Sequence, residues 1–360
     1  MRKIIFLIFI PVCLLIFAKT PPVPDDYPSS LPSARIKAMG GAGTGLPGNI
    51  TGSFYNPASV SFLSQGFIHI SYADESNATV SRLINNEPSV YGRHISYLSI
   101  ITFQGGLSYH PLYSESYADR EIPGSNIERD LDVSLDEYIL TLTSYSGASE
   151  RYALPFVLGI NLKYVRGSFA QADLYRDSAG TVDSAFTDIS TGNGYGLDLG
   201  FLYKGETFAG GISVRNLLTH IYWSGDSKGG NIIDYDRQII PLSATAGVSF
   251  FPAAGLVLLL DIDRIFKSNM PFIYKGGIEY TFYRNFSGNS FLSSLLSGSP
   301  SIRGGTVFKE IYGLEVITFT LGLGYSSEEY RIDMAIEGLP DDYMQGGLTY
   351  QISINLPIKI

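Results

Sequence analysis

The chain has 360 residues, of which only 16% are charged, against about 25% in ordinary soluble domains. Its net charge of −9 repels nucleic-acid phosphate, and with no basic stripe along the chain a nucleic-acid partner is not expected. Mean hydropathy is +0.11, yet beyond the N-terminus no apolar run approaches the roughly 20 residues of a membrane helix, which leaves the closed β-barrel as the membrane architecture.

Arg2 and Lys3 precede an apolar run from Ile4 to Phe17, and Ala18 offers a cleavage residue before the polar, proline-rich Lys19 to Pro32. That layout predicts a secretory signal peptide over residues 1–18, the other reading being an uncleaved anchor. Cys13, the only cysteine, lies in this run with no lipoprotein box before it, so no disulfide or thiolate chemistry is expected in the mature chain.

Residues 19–65 are predicted to be a plug segment. Six glycines from Gly40 to Gly52 permit positive φ and close packing inside a narrow lumen. Pro57 holds Asn56 extended, and the Asn56 side chain can bond nearby backbone. The other reading is a surface loop leading into the first strand. Gly43, Gly45 and Gly48 also satisfy G-x-G-x-x-G, but no clear strand precedes them, Pro47 and Gly48 break any helix after them, and no βαβ unit follows.

From residue 66 onward the pattern is that of strands, with apolar and polar or small residues alternating at a period of two. Strands are predicted at Gly66 to Ala73, Glu137 to Ser146, Leu154 to Arg166, Gly194 to Tyr203, Thr207 to Asn216 and Leu242 to Phe250. Further ones follow at Leu256 to Asp263, Phe272 to Phe282, Ile302 to Phe308, Ile317 to Tyr325, Tyr330 to Glu337 and Leu348 to Ile360. The last is long enough to cross a bilayer at a tilt, which takes roughly 9 to 11 residues. It predicts Ile352, Ile354 and Leu356 toward lipid, and Gln351, Ser353 and Asn355 toward the lumen. Arg93 to Pro111, split near residues 101–103, supplies two more strands. The expected fold is therefore an all-β transmembrane antiparallel barrel over residues 66–360, with about 14 strands and both ends in the periplasm.

Connections alternate as a membrane meander requires: short at Gly147 to Tyr152, long at Gly167 to Asn193, short at Lys204 to Glu206, long at Leu217 to Pro241, short at Phe251 to Gly255. Arg284 to Pro300 is a long connection on the side of the short turns, where Phe291 to Leu296 is predicted to lie as a short helix at the rim. Tyrosines near the strand ends, among them Tyr72, Tyr164, Tyr203 and Tyr280, predict aromatic belts at the two interfaces. The acidic run from Glu115 to Glu137 is read as a solvated external loop, with weak calcium binding as the alternative.

No enzyme is predicted. His69, His94, His110 and His220 are scattered, no G-x-S-x-G nucleophile elbow is present, and no Cys/His spacing suits zinc. A Ser-His pair assembled in space is the enzyme alternative. No cofactor and no metal are expected.

The run Ala34 to Gly45, with its Met39-Gly40-Gly41-Ala42, followed by Phe54-Tyr55-Asn56-Pro57-Ala58, resembles the opening of the FadL-like outer-membrane long-chain fatty-acid transporter family, including its PorV-like branch. Gly194 to Lys204, Ser213 to Leu217 and Ser301 to Gly305 are similar to it as well. The resemblance implies a hatch inside the barrel carrying Gly40, Gly41, Asn56, Pro57 and Ala58. It implies passive, hatch-gated uptake of hydrophobic molecules such as long-chain fatty acids in the outer membrane of a diderm bacterium. In some members the ligand leaves sideways through a wall gap at a strand kink, whose place here the sequence leaves open. Two departures stand out. Leu46 to Gly52 lacks the acidic residues the family often carries there, and the chain ends on Ile360 rather than an aromatic. The PorV-like branch implies the alternative, a docking or shuttle barrel in protein secretion or surface attachment; a general porin is a third reading. Expected partners are membrane lipid, a fatty-acid-like ligand, lipopolysaccharide or detergent, and on the alternative a secretion-system protein; a monomer is expected.

Overall fold

The computed structural model describes residues 31–74, 95–121, 126–144, 156–176, 181–228, 237–267, 270–283, 298–311, 314–338 and 348–358. The predicted signal peptide and rim helix lie outside these residues, and no helix within them is long and apolar enough to cross a membrane.

The strands are β1 (Gly66–Asp74), β2 (Ile95–Thr102), β3 (Gly105–Glu121), β4 (Ile127–Thr143) and β5 (Phe156–Arg176). They continue with β6 (Val182–Lys204), β7 (Phe208–Lys228), β8 (Gln238–Ile239), β9 (Ser243–Ala253) and β10 (Leu256–Ile265). The last five are β11 (Phe272–Thr281), β12 (Ser299–Ile311), β13 (Leu314–Ser326), β14 (Arg331–Gly338) and β15 (Leu348–Ile358). β8 is a two-residue piece on the outer part of β7; the other fourteen pair antiparallel with their neighbours in sequence. β15 closes the ring on β1 from Gly66↔Ile358 to Asp74↔Tyr350. Closure of the ring pairs each long strand on both sides, as backbone in hydrocarbon requires.

Alternation divides the two faces as β15 shows. Ile352, Ile354 and Leu356 are 40 to 43% exposed, while Gln351, Ser353 and Asn355 are buried. Ile354 stands in an outward row with Ile70 of β1 and Ile332 of β14. On the outer wall Tyr109, Tyr138, Tyr164 and Tyr195 are direct register partners across β3 to β6. Their rings lie 5.4 to 6.0 Å apart, which marks one interfacial belt. Phe156 with Phe201, and Tyr203 with Phe208, form part of the opposite belt near the short turns.

Three expectations need correction. The long connections predicted at Gly167 to Asn193 and Leu217 to Pro241 are largely strand: β5 runs to Arg176, β6 begins at Val182, and β7 runs to Lys228. Outside the bilayer both faces of a ribbon can be polar, so period-two hydrophobicity fades while ladder bonding persists. For the same reason the predicted acidic loop is the outer half of the β3–β4 hairpin, and Glu137 within it is a buried lumen residue rather than a solvated one. The split near residues 101–103 falls one residue later, at Phe103 and Gln104, where Gly105 takes φ 136°.

Candidate functional site

Residues 31–63 form a compact inner segment. Ser33 caps helix α1 (Ala34–Lys37) by accepting from the Ile36 N–H. A second turn, α2 (Gly52–Tyr55), leads into a 3-10 turn at Pro57–Phe62, which Asn56 caps by accepting from the Ala58 N–H at 3.1 Å. Gly40, Gly41 and Gly48 have φ of 67°, 75° and 67°, a region that disfavours a Cβ. Ile36, Met39, Leu46, Phe54 and Tyr55 make its apolar core together with Tyr97 and Leu259 of the wall.

The segment lies within the ring, because its bonds reach inward-facing groups on strands all round it. The Ala34 N–H donates to Ser353 of β15, Gly40 to Thr320 of β13, and both Gly43 and Thr44 to one carboxylate oxygen of Asp261 on β10. Ser249 of β9 donates to the Gly45 carbonyl, and Asn161 of β5 to that of Ser53. Asn56 is fully buried and donates to the carbonyls of Thr44 at 2.9 Å and Phe201 of β6 at 3.0 Å. Wall glycines make room for this packing. A Cβ on Gly159 would lie 2.3 Å from the Ala58 nitrogen, on Gly200 2.2 Å from the Asn56 Oδ1, and on Gly305 2.1 Å from the Gly40 nitrogen. Gly40, Asn56, Pro57 and Ala58 therefore sit at seams between segment and wall, and Gly41 lies between Leu31 of the segment and the Lys275 stem of β11.

Besides the pair between buried Lys37 and Glu337 of β14 at 3.1 Å, two sets of buried charges brace the segment, and the sequence reading missed all of them. In the first, the Arg35 Nη2 and Nε bond the Glu279 carboxylate at 2.6 and 2.9 Å. Arg303 of β12 also contacts Glu279 and reaches Asp333 of β14 at 2.9 Å. Burial alone would lower the Arg35 pKa, but Glu279 outweighs it and holds that pKa above the ordinary arginine value. In the second, Lys163 of β5 lies 2.7 Å from Glu137 and 2.8 Å from Asp198 of β6. Arg215 of β7 stacks 3.9 Å over the Phe54 ring. Charges so buried persist only when paired. The signal that could have found them is a charged residue at an inward position of an alternating strand, as with Arg303 between Ile302 and Gly304.

Outward of the second set the lumen turns apolar. Leu112, Val133, Leu135, Val165, Phe169, Ile221, Trp223 and Ile240 cluster there, and the Trp223 ring lies over Gly167 and Gly192, with its N–H donating to Gln238 at 3.0 Å. Beside this layer the β2–β3 ladder is short among the described residues. The β2–β3 ladder runs only from Thr102↔Gly105 to Leu98↔Tyr109 among the described residues, and Pro111 follows, which has no N–H. On the outer surface at that place is a hollow of about 580 Å³ bordered by Leu98, Leu107, Tyr109, Tyr138 and Leu162. Of the histidines, His69 bonds Asn355 and the Pro32 carbonyl, and His110 packs against Phe54 and Glu137. No group of three potential metal ligands occurs among the described residues.

A closed fourteen-stranded antiparallel barrel filled by its own N-terminal segment has the fold of the FadL-type outer-membrane hydrocarbon transporters. A toluene transporter, TodX, of P. putida matches with a TM-score of 0.57 at 14% identity, over 90% of this chain and 98% of that one. The monoaromatic hydrocarbon channel CymD matches at 0.55 and 14%, over 90% and 97%. A FadL homologue of Pseudomonas aeruginosa matches at 0.57 and 12%, over 92% and 99%. No protein-family model and no curated protein matches the sequence.

Proposed function

We propose that the protein is an outer-membrane channel for the passive uptake of hydrophobic molecules, with residues 31–63 acting as its hatch. The observation that carries this reading is the apolar layer around Trp223, set inside a polar barrel above the segment and beside the β2–β3 ladder, which is short among the described residues. A general porin needs a wet, polar lumen; an apolar layer there disfavours ions and attracts an apolar solute. Solute adsorbs at the outer end, passes to the Trp223 layer, and leaves when the segment shifts around Gly40, Gly41, Asn56, Pro57 and Ala58. The short β2–β3 ladder and the hollow outside it support sideways release into the bilayer. No nucleotide or redox step is required, since the solute moves down its own gradient.

Neighbours with this fold include a toluene transporter, a monoaromatic hydrocarbon channel and a FadL homologue, which supports small apolar solutes alongside long-chain fatty acids. The test is uptake of labelled toluene and dodecanoate by cells with and without the protein. Faster uptake of at least one is expected. Equal uptake of both, with a stoichiometric protein partner co-purifying, would overturn the reading in favour of a docking barrel.

A further inference from the structure

Beyond the tyrosine belt, on the side away from the short turns, the outer wall carries a row of four hydrogen-bond donors on neighbouring strands. Arg166 of β5 pairs in register with Asn193 of β6, and Asn193 with Tyr222 of β7. β8 continues the ladder through His220↔Ile239 and Ile221↔Gln238, which sets Arg237 beside Tyr222. All four side chains are exposed, and neither arginine makes an ion pair among the described residues. Arg237 donates to the His220 Nε2, while the Nδ1 of the same ring donates to the Leu218 carbonyl at 2.8 Å. A ring used this way is neutral, so the arginine charge stays uncompensated. Asn193 accepts from the Tyr164 hydroxyl at 2.6 Å through its Oδ1, which leaves its NH2 as a donor. On the β4 side Asp136, the register partner of Arg166, accepts from Tyr109 at 2.9 Å, and with Asp132 and Asp130 it bounds the row with negative charge. Three inter-strand steps of about 4.8 Å place the two arginines about 14 Å apart. Toward the midplane from the row the wall is apolar, with Tyr195, Ile239 and the 74% exposed Leu218 standing out from it.

From this arrangement we infer that the row binds the head of a membrane glycolipid bearing two phosphates, one at Arg166 and one at Arg237. Asn193 and Tyr222 donate to the sugar between them, and the acyl chains lie down the wall over Tyr195, Leu218 and Ile239. Guanidinium groups take phosphate in bidentate fashion, and at a membrane interface their stems lie along apolar surface while the charge stays in the head-group layer. Because His220 holds Arg237 in place, the two arginines do not converge on one anion. Their separation suits two phosphates on one rigid head better than the single phosphate of a phospholipid. The head sits in the leaflet away from the short turns, which in the outer membrane is the outward-facing one. The inference rests on that placement and is independent of what crosses the lumen.

The test titrates diphosphoryl lipid A, monophosphoryl lipid A and phosphatidylglycerol into the full chain in a non-ionic detergent, with binding read by native mass spectrometry. The diphosphoryl lipid is expected to bind at least tenfold more tightly than either of the others. Arg166→Gln or Arg237→Gln is expected to bring it down to the level of the monophosphoryl form. Arg264, an outward arginine on β10 stacked 4.5 Å over the Phe272 ring, is the control: Arg264→Gln removes the same charge and is expected to change nothing. Unchanged β-sheet circular dichroism shows the variants folded. Equal affinity for the two lipid A forms, an equal loss from Arg264→Gln, or phosphatidylglycerol binding as tightly as the diphosphoryl lipid would each overturn the site. Toluene entry into phospholipid vesicles free of lipid A tests the channel separately. Entry there with no preference for two phosphates means that the site alone has failed; the preference without entry means that the channel reading alone has failed.

Discussion

Gly304 and Gly305 are adjacent on β12 but point to opposite sides of the wall, and replacing each by alanine tests the packing of the inner segment. A Cβ on Gly304 would meet nothing closer than 3.8 Å, an ordinary contact. A Cβ on Gly305 would lie 2.1 Å from the Gly40 nitrogen and 2.3 Å from the Met39 carbonyl carbon. Backbone must retreat by about 1 Å to relieve that, at an overpacking cost of about 1 to 3 kcal/mol. Gly40 donates to Thr320 on the next strand at 3.0 Å, so the retreat also stretches this bond. Gly305→Ala should therefore raise the opening equilibrium of the segment about 5- to 150-fold, since each 1.4 kcal/mol is a factor of ten. Hydrogen exchange of the amides from Ala38 to Ala42 reads this directly, with the strand amides of β12 and β13 as an internal reference. Gly304→Ala should leave exchange unchanged. Equal effects from both variants, or none from Gly305→Ala, would refute the placement of Gly40 against β12.

Asn56→Ala removes two donors, to Thr44 and Phe201, and the acceptor that caps Ala58; it should cost about 1 to 3 kcal/mol and appear as faster proteolysis within residues 44–63. Glu279→Gln leaves Arg35 and Arg303 buried without their shared carboxylate, which should lower barrel stability by about 3 to 5 kcal/mol in a denaturant titration; a loss below 1 kcal/mol would count against the pairing. Ile354→Arg places a charge in the outward row between Ile70 and Ile332 and should cost about 2 to 4 kcal/mol of folding into lipid if that row lies near the midplane. The change Gly200→Val should displace Asn56 and Pro57 together and raise single-channel conductance in a planar bilayer, whereas an unchanged trace would show that the segment yields without opening a path.

Legibility in the sequence followed hydrophobic contrast. β15 was readable to within two residues because one face meets lipid and the other a polar lumen, so the period-two signal is strong at Tyr350 to Leu356. The outer halves of β3 to β7 were not readable, because water replaces lipid there and nothing forces Thr187, Asp188 and Ser190 to alternate. At Asn216 and Leu218 of β7, φ values of 61° and 60° mark bulges that shift the register against β6; no residue-level signal announces a positive φ at leucine. In the inner segment the glycines and Asn56-Pro57 pointed to tight packing, and the structure shows what each touches. The partners of Arg35 and Lys163 stayed hidden since Glu279, Glu137 and Asp198 are distant in sequence, and register alone brings them together. Paired wall glycines such as Gly304 and Gly305 were visible, but which of the two faced the segment depended on that same register.

The most direct test of the channel is the initial rate at which a hydrophobic solute enters sealed vesicles with a lipopolysaccharide outer leaflet, measured with labelled toluene and dodecanoate and no energy source. The account predicts a rate that rises in proportion to incorporated protein and falls when Trp223→Arg places a charge in the apolar layer. Rates equal to those of protein-free vesicles for both solutes would contradict it.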